Sequence, residues 1–235
     1  MSGRAVAAGR IAAVKQLAAG VWHLKGLPPN AINVYLVEDV LVDAASRRAG
    51  KRILSQLEGH EVNAHALTHA HPDHQGASAQ VCDALGIPYW VGATDVPLAE
   101  DLENMKATQA PHPLNRLIMK YWCGPARHVD RHLHEGDEVA GFRVLDVPGH
   151  SPGHVAYWRE SDRVLILGDV LNNMDVVTGI PGLRDPKPYF TADPVENRQS
   201  ARKLARLEPK LVLFGHGAPL RDTRKFVDFV NGLPV

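Results

Sequence analysis

One short segment, which follows directly on an apolar run, constrains this chain more than any other. Residues 64–68 have the pattern of a β-strand, and the next six residues are His-Ala-His-Pro-Asp-His. Imidazole and carboxylate groups are ligands of zinc and other divalent ions of intermediate softness. A loop between a strand and a helix turns neighbouring side chains to different sides. His69 and His71 can therefore bind one ion, while Asp73 and His74 bind a second.

Three further strand ends carry residues of the same ligand types. In each case an apolar run is followed by a glycine and then by a candidate ligand. These runs are 144–147 before His150, 164–167 before Asp169, and 211–214 before His216. Glycine allows the backbone to leave a strand in a tight turn. Because side chains at the ends of several strands meet at one rim of an open α/β sheet, we expect all four segments to build a single site.

The rest of the chain alternates short apolar runs with helical patterns, which is typical of a layered α/β domain. Strands are predicted at 20–25, 31–37, 40–43, 64–68, 88–91, 142–147, 155–159, 164–167 and 211–214, and helices at 47–58, 75–85, 194–207 and 223–230. A helical pattern at about 97–134 separates the two blocks and is interpreted as an insertion. Residues 1–19 are predicted to be a loosely ordered tail, and residues 20–235 a single domain.

Composition excludes several classes of partner. Lysine plus arginine and aspartate plus glutamate both number 26, so the chain lacks the basic surplus of a nucleic-acid-binding protein. No apolar run is long enough to span a membrane. Cys82 and Cys123 are the only cysteines, which favours reduced thiols in a cytoplasmic protein over a disulfide framework. We therefore expect a small-molecule substrate, and the sequence gives no indication of oligomeric state.

The ordered motif set resembles the metallo-β-lactamase superfamily over about residues 20–225. The matching segments are His69-x-His71-x-Asp73-His74, Pro148-Gly149-His150-Ser151-Pro152-Gly153-His154, Gly168-Asp169 and Gly215-His216-Gly217. The resemblance implies a four-layer αβ/βα sandwich with the site at the sheet edges and a helical insertion between the halves. It also implies one ion on His69, His71 and His150, a second on Asp73, His74 and His216, and Asp169 as the bridging ligand.

Two more residues match family positions outside the ligand set. His154 matches a histidine that usually is not a ligand, so we expect it to support the ligands from behind. Asp43, which ends the strand at 40–43, matches a position that often orients a metal-bound histidine.

The chemistry implied is hydrolysis. Two divalent ions, expected to be zinc with iron or manganese as other possibilities, can share a hydroxide at neutral pH. Asp73 is the expected catalytic proton acceptor as well as a ligand. An ester, lactone or thioester would then be cleaved. The alternatives are a mononuclear iron oxidoreductase resembling the persulfide dioxygenases of the superfamily, and a β-lactam hydrolase.

Departures from subfamily patterns bear on the substrate. Asp169 stands where class B1 and B2 β-lactamases have a cysteine and where class B3 enzymes lack a bridging acid. Asn172 stands where the better-known acyl-homoserine lactonases have a tyrosine. We predict that the substrate contacts Met105 and Tyr121 from the insertion, and Asn172 and Met174 from the loop after Asp169.

Overall fold

A mixed sheet of seven strands forms the N-terminal half of the protein in the computed structural model, which describes residues 14–234. Its strands run in sequence order across the sheet: β1 (Lys15–Ala18), β2 (Val21–Leu24), β3 (Val34–Val37), β4 (Val40–Val42), β5 (Ala64–Ala66), β6 (Tyr89–Gly92) and β7 (Arg131–Leu133). The pairs from β1 to β4 are antiparallel, and those from β4 to β7 are parallel. The carboxyl ends of β4, β5 and β6 therefore meet at one edge.

A second sheet of five strands forms the C-terminal half, in the order β14, β11, β10, β9, β8. These strands and a separate hairpin are β8 (Glu138–Val139), β9 (Phe142–Asp146), β10 (Val155–Arg159), β11 (Val164–Gly168), β12 (Asn172–Met174), β13 (Pro181–Arg184) and β14 (Leu211–Phe214). Strands β11 and β14 are parallel, so their ends deliver the following residues to the same edge. Strands β12 and β13 form a separate two-stranded sheet, and Asn173 of β12 also bridges to Gly217 after β14.

Successive side chains of a strand point to opposite faces of its sheet, and in both sheets the side chains on each face are apolar. In β3, Tyr35 and Val37 point into the core between the two sheets, together with Val144 and Tyr157 of the second sheet. The intervening residue Leu36 points to the opposite face. Sheets buried on both faces require a covering layer on each outer side.

Helices provide these outer layers. They are α1 (Gly50–Leu57), α2 (Pro72–Gln75), α3 (Ser78–Leu85), α4 (Val96–Glu100), α5 (Leu102–Thr108), α6 (Pro113–Trp122), α7 (Pro194–Ala205) and α8 (Thr223–Asn231). Ile53 of α1 and Val81 of α3 pack on the first sheet. Leu204 of α7 and Phe226 of α8 pack on the second. The order helix, sheet, sheet, helix is the four-layer αβ/βα sandwich, and the predicted fold is confirmed.

Two predicted boundaries were wrong. The predicted tail of residues 1–19 contains Lys15–Ala18, which forms β1 by pairing with β2 and places Leu17 in the core. Residues 1–13 lie outside the described part of the chain. The predicted insertion at 97–134 contains β7 as well as helices, because Arg131–Leu133 pairs in parallel with β6 and buries Leu133 between the sheets.

The β12–β13 hairpin was not predicted. Its first strand reads Asn-Asn-Met, which lacks the apolar alternation that indicates a strand. No helix among residues 14–234 is both long and apolar enough to cross a membrane.

The outer packing of α8 gives a test of the fold. Phe226 is fully buried against the second sheet, whereas Phe229 on the same helix is only partly buried. Phe226→Ala should lower the free energy of unfolding by about 3–5 kcal/mol, because it leaves a cavity under the helix. Phe229→Ala, the matched control, should cost only about 1–2 kcal/mol. Urea unfolding monitored by circular dichroism measures both, and equal losses would contradict the assigned packing.

Candidate metal centre

The histidine-rich segment leaves the first sheet after β5 and turns at once into the short helix α2. His71 is the residue before the helix, Pro72 is its first residue, and Asp73 and His74 follow on the same turn. Proline is well suited to this position because the first helical N–H has no partner in the helix. The turn brings His69 Nε2 to 3.1 Å from His71 Nδ1.

His150, which follows β9 of the second sheet, completes a first cluster. One ligand atom from each of His69, His71 and His150 lies within 4.8 Å of the others. The ring centroids of His71 and His150 are 4.6 Å apart, and those of His69 and His150 are 4.8 Å apart. These three residues were predicted to share one ion, and the fold brings them together.

A second cluster forms from Asp73, His74 and His216, whose ligand atoms also lie within 4.8 Å of one another. His216 follows β14, and its Nε2 is 3.2 Å from Asp73 Oδ2. The two clusters therefore each combine residues of the α2 turn with a residue from the second sheet, as the sequence predicted for the two ions.

Asp169 lies between the clusters. Its Oδ2 is 3.7 Å from His150 Nε2 of the first cluster. The same oxygen is 3.6 Å from His74 Nε2 and 3.0 Å from His216 Nε2 of the second. One carboxylate oxygen thus faces nitrogens of both clusters, which is the position expected of a bridging ligand.

Asp43 fixes the orientation of two ligands from behind. Its Oδ2 lies 2.8 Å from His74 Nδ1, so that His74 directs Nε2 towards the centre. The Thr68 hydroxyl also donates to Asp43 and lies 3.0 Å from His69 Nδ1. Hydrogen bonding of the distant ring nitrogen fixes the tautomer and rotation of a metal-binding histidine. The predicted supporting role of Asp43 has this geometry.

Two further candidate ligands, His150 and His216, are held in the same manner. His150 Nδ1 lies 3.3 Å from the Thr191 hydroxyl, and His216 Nδ1 donates to the backbone carbonyl of Ala31. In both, Nε2 is left facing Asp169.

His154 lies beside the ligands without joining either cluster. Its ring stacks on His69 at 4.6 Å, and its Nε2 accepts a hydrogen bond from the Asp169 backbone N–H at 3.1 Å. Burial lowers the pKa of His154 to about 3, so the ring is neutral and Nε2 is free to accept. The nitrogen engaged by Asp169 is therefore not available to an ion.

Two glycines give the ligands the space they occupy. A Cβ on Gly215 would lie 2.0 Å from Asp169 Oδ1 and 2.6 Å from a ring carbon of His74. Gly168 has φ +58°, and a Cβ there would lie 2.6 Å from the His154 ring. A side chain at either position would displace the ligands or the residue behind them.

The arrangement fits metal ions. His74 Nε2, His150 Nε2 and Asp169 Oδ1 are buried and have no hydrogen-bond partner in the described part of the chain. Asp43, Asp73 and Asp169 have ion-pair partners only among histidines there, never a lysine or arginine. Buried carboxylates therefore face histidine nitrogens that have no hydrogen-bond partner. Cations bound between them would compensate the negative charge and supply the missing partners.

The two clusters differ in their attraction for positive charge. Burial lowers the pKa of His69 and His150 well below the usual value, and neighbouring histidines add to the effect. Burial acts the same way on His216, but Asp169 and Asp73 outweigh it and raise its pKa to about 10. Asp73 and Asp169 therefore favour positive charge on His216, whereas His69 and His150 of the first cluster are neutral.

Sequence reasoning missed Asp95. This residue is fully buried and accepts three hydrogen bonds, from the Ala70 N–H at 2.9 Å, the Ser151 hydroxyl at 2.6 Å and the Gly153 N–H at 2.6 Å. It thereby ties the α2 turn to the loop that carries His150. Its position just after β6 is the signal that could have found it, since it is another acid that follows a strand end and a glycine.

The predicted substrate contacts divide into two pairs. Asn172 and Met174 line a cavity of about 470 Å³ beside the clusters. Met105 does not line it, because its side chain is fully buried between α5 and the first sheet and contacts Cys123. Tyr121 also does not line it and is 42% exposed on α6. The residues of α6 that line the cavity are instead Leu114, Ile118 and Trp122.

Removal of the Asp95 carboxylate tests its role in holding the two loops. Asp95→Ala leaves three donors without their acceptor, so we expect metal affinity about 10–100-fold weaker than in the wild type. Asp101→Ala, at the exposed N-terminus of α5, removes one capping bond far from the clusters and should leave metal affinity unchanged. Competition with a chromophoric chelator measures the affinities. Wild-type affinity in a folded Asp95→Ala protein would contradict the assignment.

Comparison with known proteins agrees with this geometry. The family model described as the metallo-beta-lactamase superfamily matches residues 27–216. The chain is 29% identical over 222 residues to the probable metallo-hydrolase YflN of Bacillus subtilis (strain 168), covering 83% of this chain and 84% of YflN. It is 27% identical over 128 residues to the hydroxyacylglutathione hydrolase GloC of Haemophilus influenzae, covering 52% of this chain and 56% of GloC.

A solved structure shares the fold. The structure of TTHA1623 in a di-iron-bound form superposes with a TM-score of 0.62 at 33% sequence identity, covering 84% of this chain and 92% of TTHA1623. The stretch matched by the family model contains both clusters and Asp169. This chain belongs to the metallo-beta-lactamase superfamily.

Proposed function

We propose that this protein is a hydrolase that holds two divalent metal ions, zinc in the first instance, and cleaves a small-molecule ester, lactone or thioester. The observation that carries the proposal is the presence of two clusters of three ligands that share no residue, with Asp169 Oδ2 facing both. A third group, His69, His74 and Asp169, links the two clusters, since its ligand atoms also lie within 4.8 Å of one another. A single ion would leave one of these clusters with buried, unsatisfied groups.

The ions would supply an activated water as nucleophile and stabilise the negative charge that develops on the substrate oxygen. The chain's own residues have separate tasks. His69, His71 and His150 form one binding site, and Asp73, His74 and His216 form the other. Asp73 also lines the cavity, where its carboxylate is placed to accept a proton during the reaction. Although burial alone would raise it, hydrogen bonding to His216 holds the pKa of Asp73 below the usual value, so this carboxylate is ionised at neutral pH.

The relatives support hydrolysis as the reaction class. YflN is named as a probable metallo-hydrolase and GloC as a hydroxyacylglutathione hydrolase. TTHA1623 holds two irons in its solved structure, which supports a site for two ions and makes iron the main competitor of zinc. Histidine nitrogens and carboxylate oxygens suit both metals.

Metal stoichiometry is the first test. The purified protein, stripped with a chelator and titrated with zinc, should bind two ions per chain, since two ligand clusters are present. Hydrolysis of p-nitrophenyl esters, thioesters and lactones should appear in this titration when the second ion binds. Elemental analysis of untreated protein identifies the metal that it carries from its host. One ion at saturation would contradict the two-metal proposal and favour the mononuclear iron alternative.

Substitution of Asp73 separates binding from catalysis. Asp73→Ala should reduce the stoichiometry to one ion and lower kcat/KM at least 100-fold, because the second cluster loses its carboxylate while the first is untouched. Asp73→Asn keeps one oxygen ligand but cannot accept a proton, so it should retain more metal than Asp73→Ala while staying equally inactive. Activity of either variant within about tenfold of wild type, or about 1.4 kcal/mol of barrier, shows that Asp73 has no catalytic role.

A further inference from the structure

The cavity beside the metal clusters has apolar walls from three separate parts of the chain. It measures about 470 Å³ and is bordered by ligands of both clusters. One wall is the face of α6, another is the β12–β13 hairpin, and the third is the loop between β2 and β3. The principal apolar side chains are Leu27, Leu114, Ile118, Trp122, Met174 and Val177. A chain of several carbons would contact apolar side chains on three sides between these walls.

The charged residues that line the cavity also indicate which substrates it can hold. Among the described residues that line it, Lys187 is the only lysine or arginine. Its Nζ is already paired with Asp175 at 2.8 Å. The Asp175 carboxylate is itself fixed by the N–H groups of Val177 and Thr178. A carboxylate at the far end of an acyl chain, away from the metal ions at the reacting carbonyl, would therefore lose its hydration between these apolar walls without meeting an unpaired lysine or arginine, which is unfavourable.

A second, smaller cavity lies on the other side of His71 and His150. It measures about 190 Å³, and Gln109 and Phe190 border both cavities. Its lining includes Thr108, Ser151 and Thr191, which carry hydroxyl groups. This more polar space suits the leaving alcohol or thiol, which bears a hydrogen-bonding group after cleavage.

We propose that the enzyme is selective for substrates with an uncharged, apolar acyl chain, which lies in the larger cavity against α6, and that it discriminates against acyl groups that carry a carboxylate. This inference rests on the proposed function, because it assigns the substrate class of the same metal centre.

A series of p-nitrophenyl esters tests the selectivity with a constant leaving group. From acetate to octanoate, kcat/KM should rise about two- to fourfold for each added methylene, as expected for burial of apolar surface. The hemisuccinate, in which a carboxylate replaces the end of a short acyl chain, should be at least tenfold poorer than the neutral pentanoate. A flat series, or a preference for the hemisuccinate, would overturn the inference.

Two lysine substitutions on α6 locate the acyl chain. Ile118→Lys places a cation in the cavity wall, so the ratio of kcat/KM for hemisuccinate to that for octanoate should rise at least tenfold with unchanged metal content. Leu117→Lys is the matched control, because Leu117 is 54% exposed and does not line the cavity. Its ratio should equal that of the wild type. Equal behaviour of the two variants would place the acyl chain elsewhere.

A binding measurement separates failure of this inference from failure of the proposed function. Octanamide is an uncharged, apolar amide, and suberamate, the monoamide of octanedioate, is its acidic counterpart of equal chain length. Calorimetry of the zinc-loaded protein should show octanamide binding at least tenfold more tightly than suberamate, with the difference reduced by Ile118→Lys. That result without hydrolysis of any ester, thioester or lactone supports the apolar cavity and overturns the proposed reaction. Hydrolysis without any preference for octanamide overturns the inference alone.

Discussion

The constraint on which this structure depends is the burial of negative charge at one rim of two sheets. Asp43, Asp73 and Asp169 lie among buried histidines, and no lysine or arginine in the described part of the chain pairs with them. An uncompensated buried carboxylate costs several kcal/mol, even after relaxation of its surroundings. Histidines reduce this cost only by holding protons. Metal cations bound between the carboxylates would offset it further, so that metal binding and folding stability would be linked at this centre.

The candidate ligands follow four different strands. They form one centre because hydrogen bonds hold the loops that carry them together. The α2 turn follows the first sheet and the His150 loop follows the second, so nothing in the local sequence fixes their separation. Asp95 fixes it by accepting hydrogen bonds from both. Asp43 performs the corresponding task within the first sheet, where it reaches one ligand directly and another through Thr68. Metal geometry thus depends on two buried carboxylates that are not themselves in the ligand clusters.

The ligands could be predicted from sequence because each is attached to a recognisable strand end. Apolar runs followed by a glycine and a histidine or aspartate identify both the element and the place where the chain leaves it. Asp95 was missed because the segment from β6 to Asp95 reads as an ordinary turn into a helix. Its three donors belong to residues that are distant from it in the sequence and that come close to it only when the chain is folded.

The cavity wall was harder to predict, because residue type alone does not say which face of a helix is turned to the site. Met105 and Tyr121 have suitable side chains, yet one lies in the core and the other on the surface. The spacing of apolar residues indicates which face of α6 lines the cavity. Leu114, Ile118 and Trp122 recur every four residues and so share one side of the helix. Which side of an inserted helix faces a metal centre is decided by packing against distant residues, and that information is not local.

One wall of the larger cavity, α6, is joined to the loop that follows the β12–β13 hairpin. Asn115 on α6 donates to the Tyr189 carbonyl at 2.9 Å, and the rings of His112 and Tyr189 stack at 4.4 Å. The insertion is therefore fastened to the loop that follows the β12–β13 hairpin, next to Phe190, which borders both cavities. The candidate ligands are anchored by the sheets, whereas the wall formed by α6 is anchored by its contacts with a neighbouring loop. Side chains on α6 can therefore change without altering the charge balance of the centre.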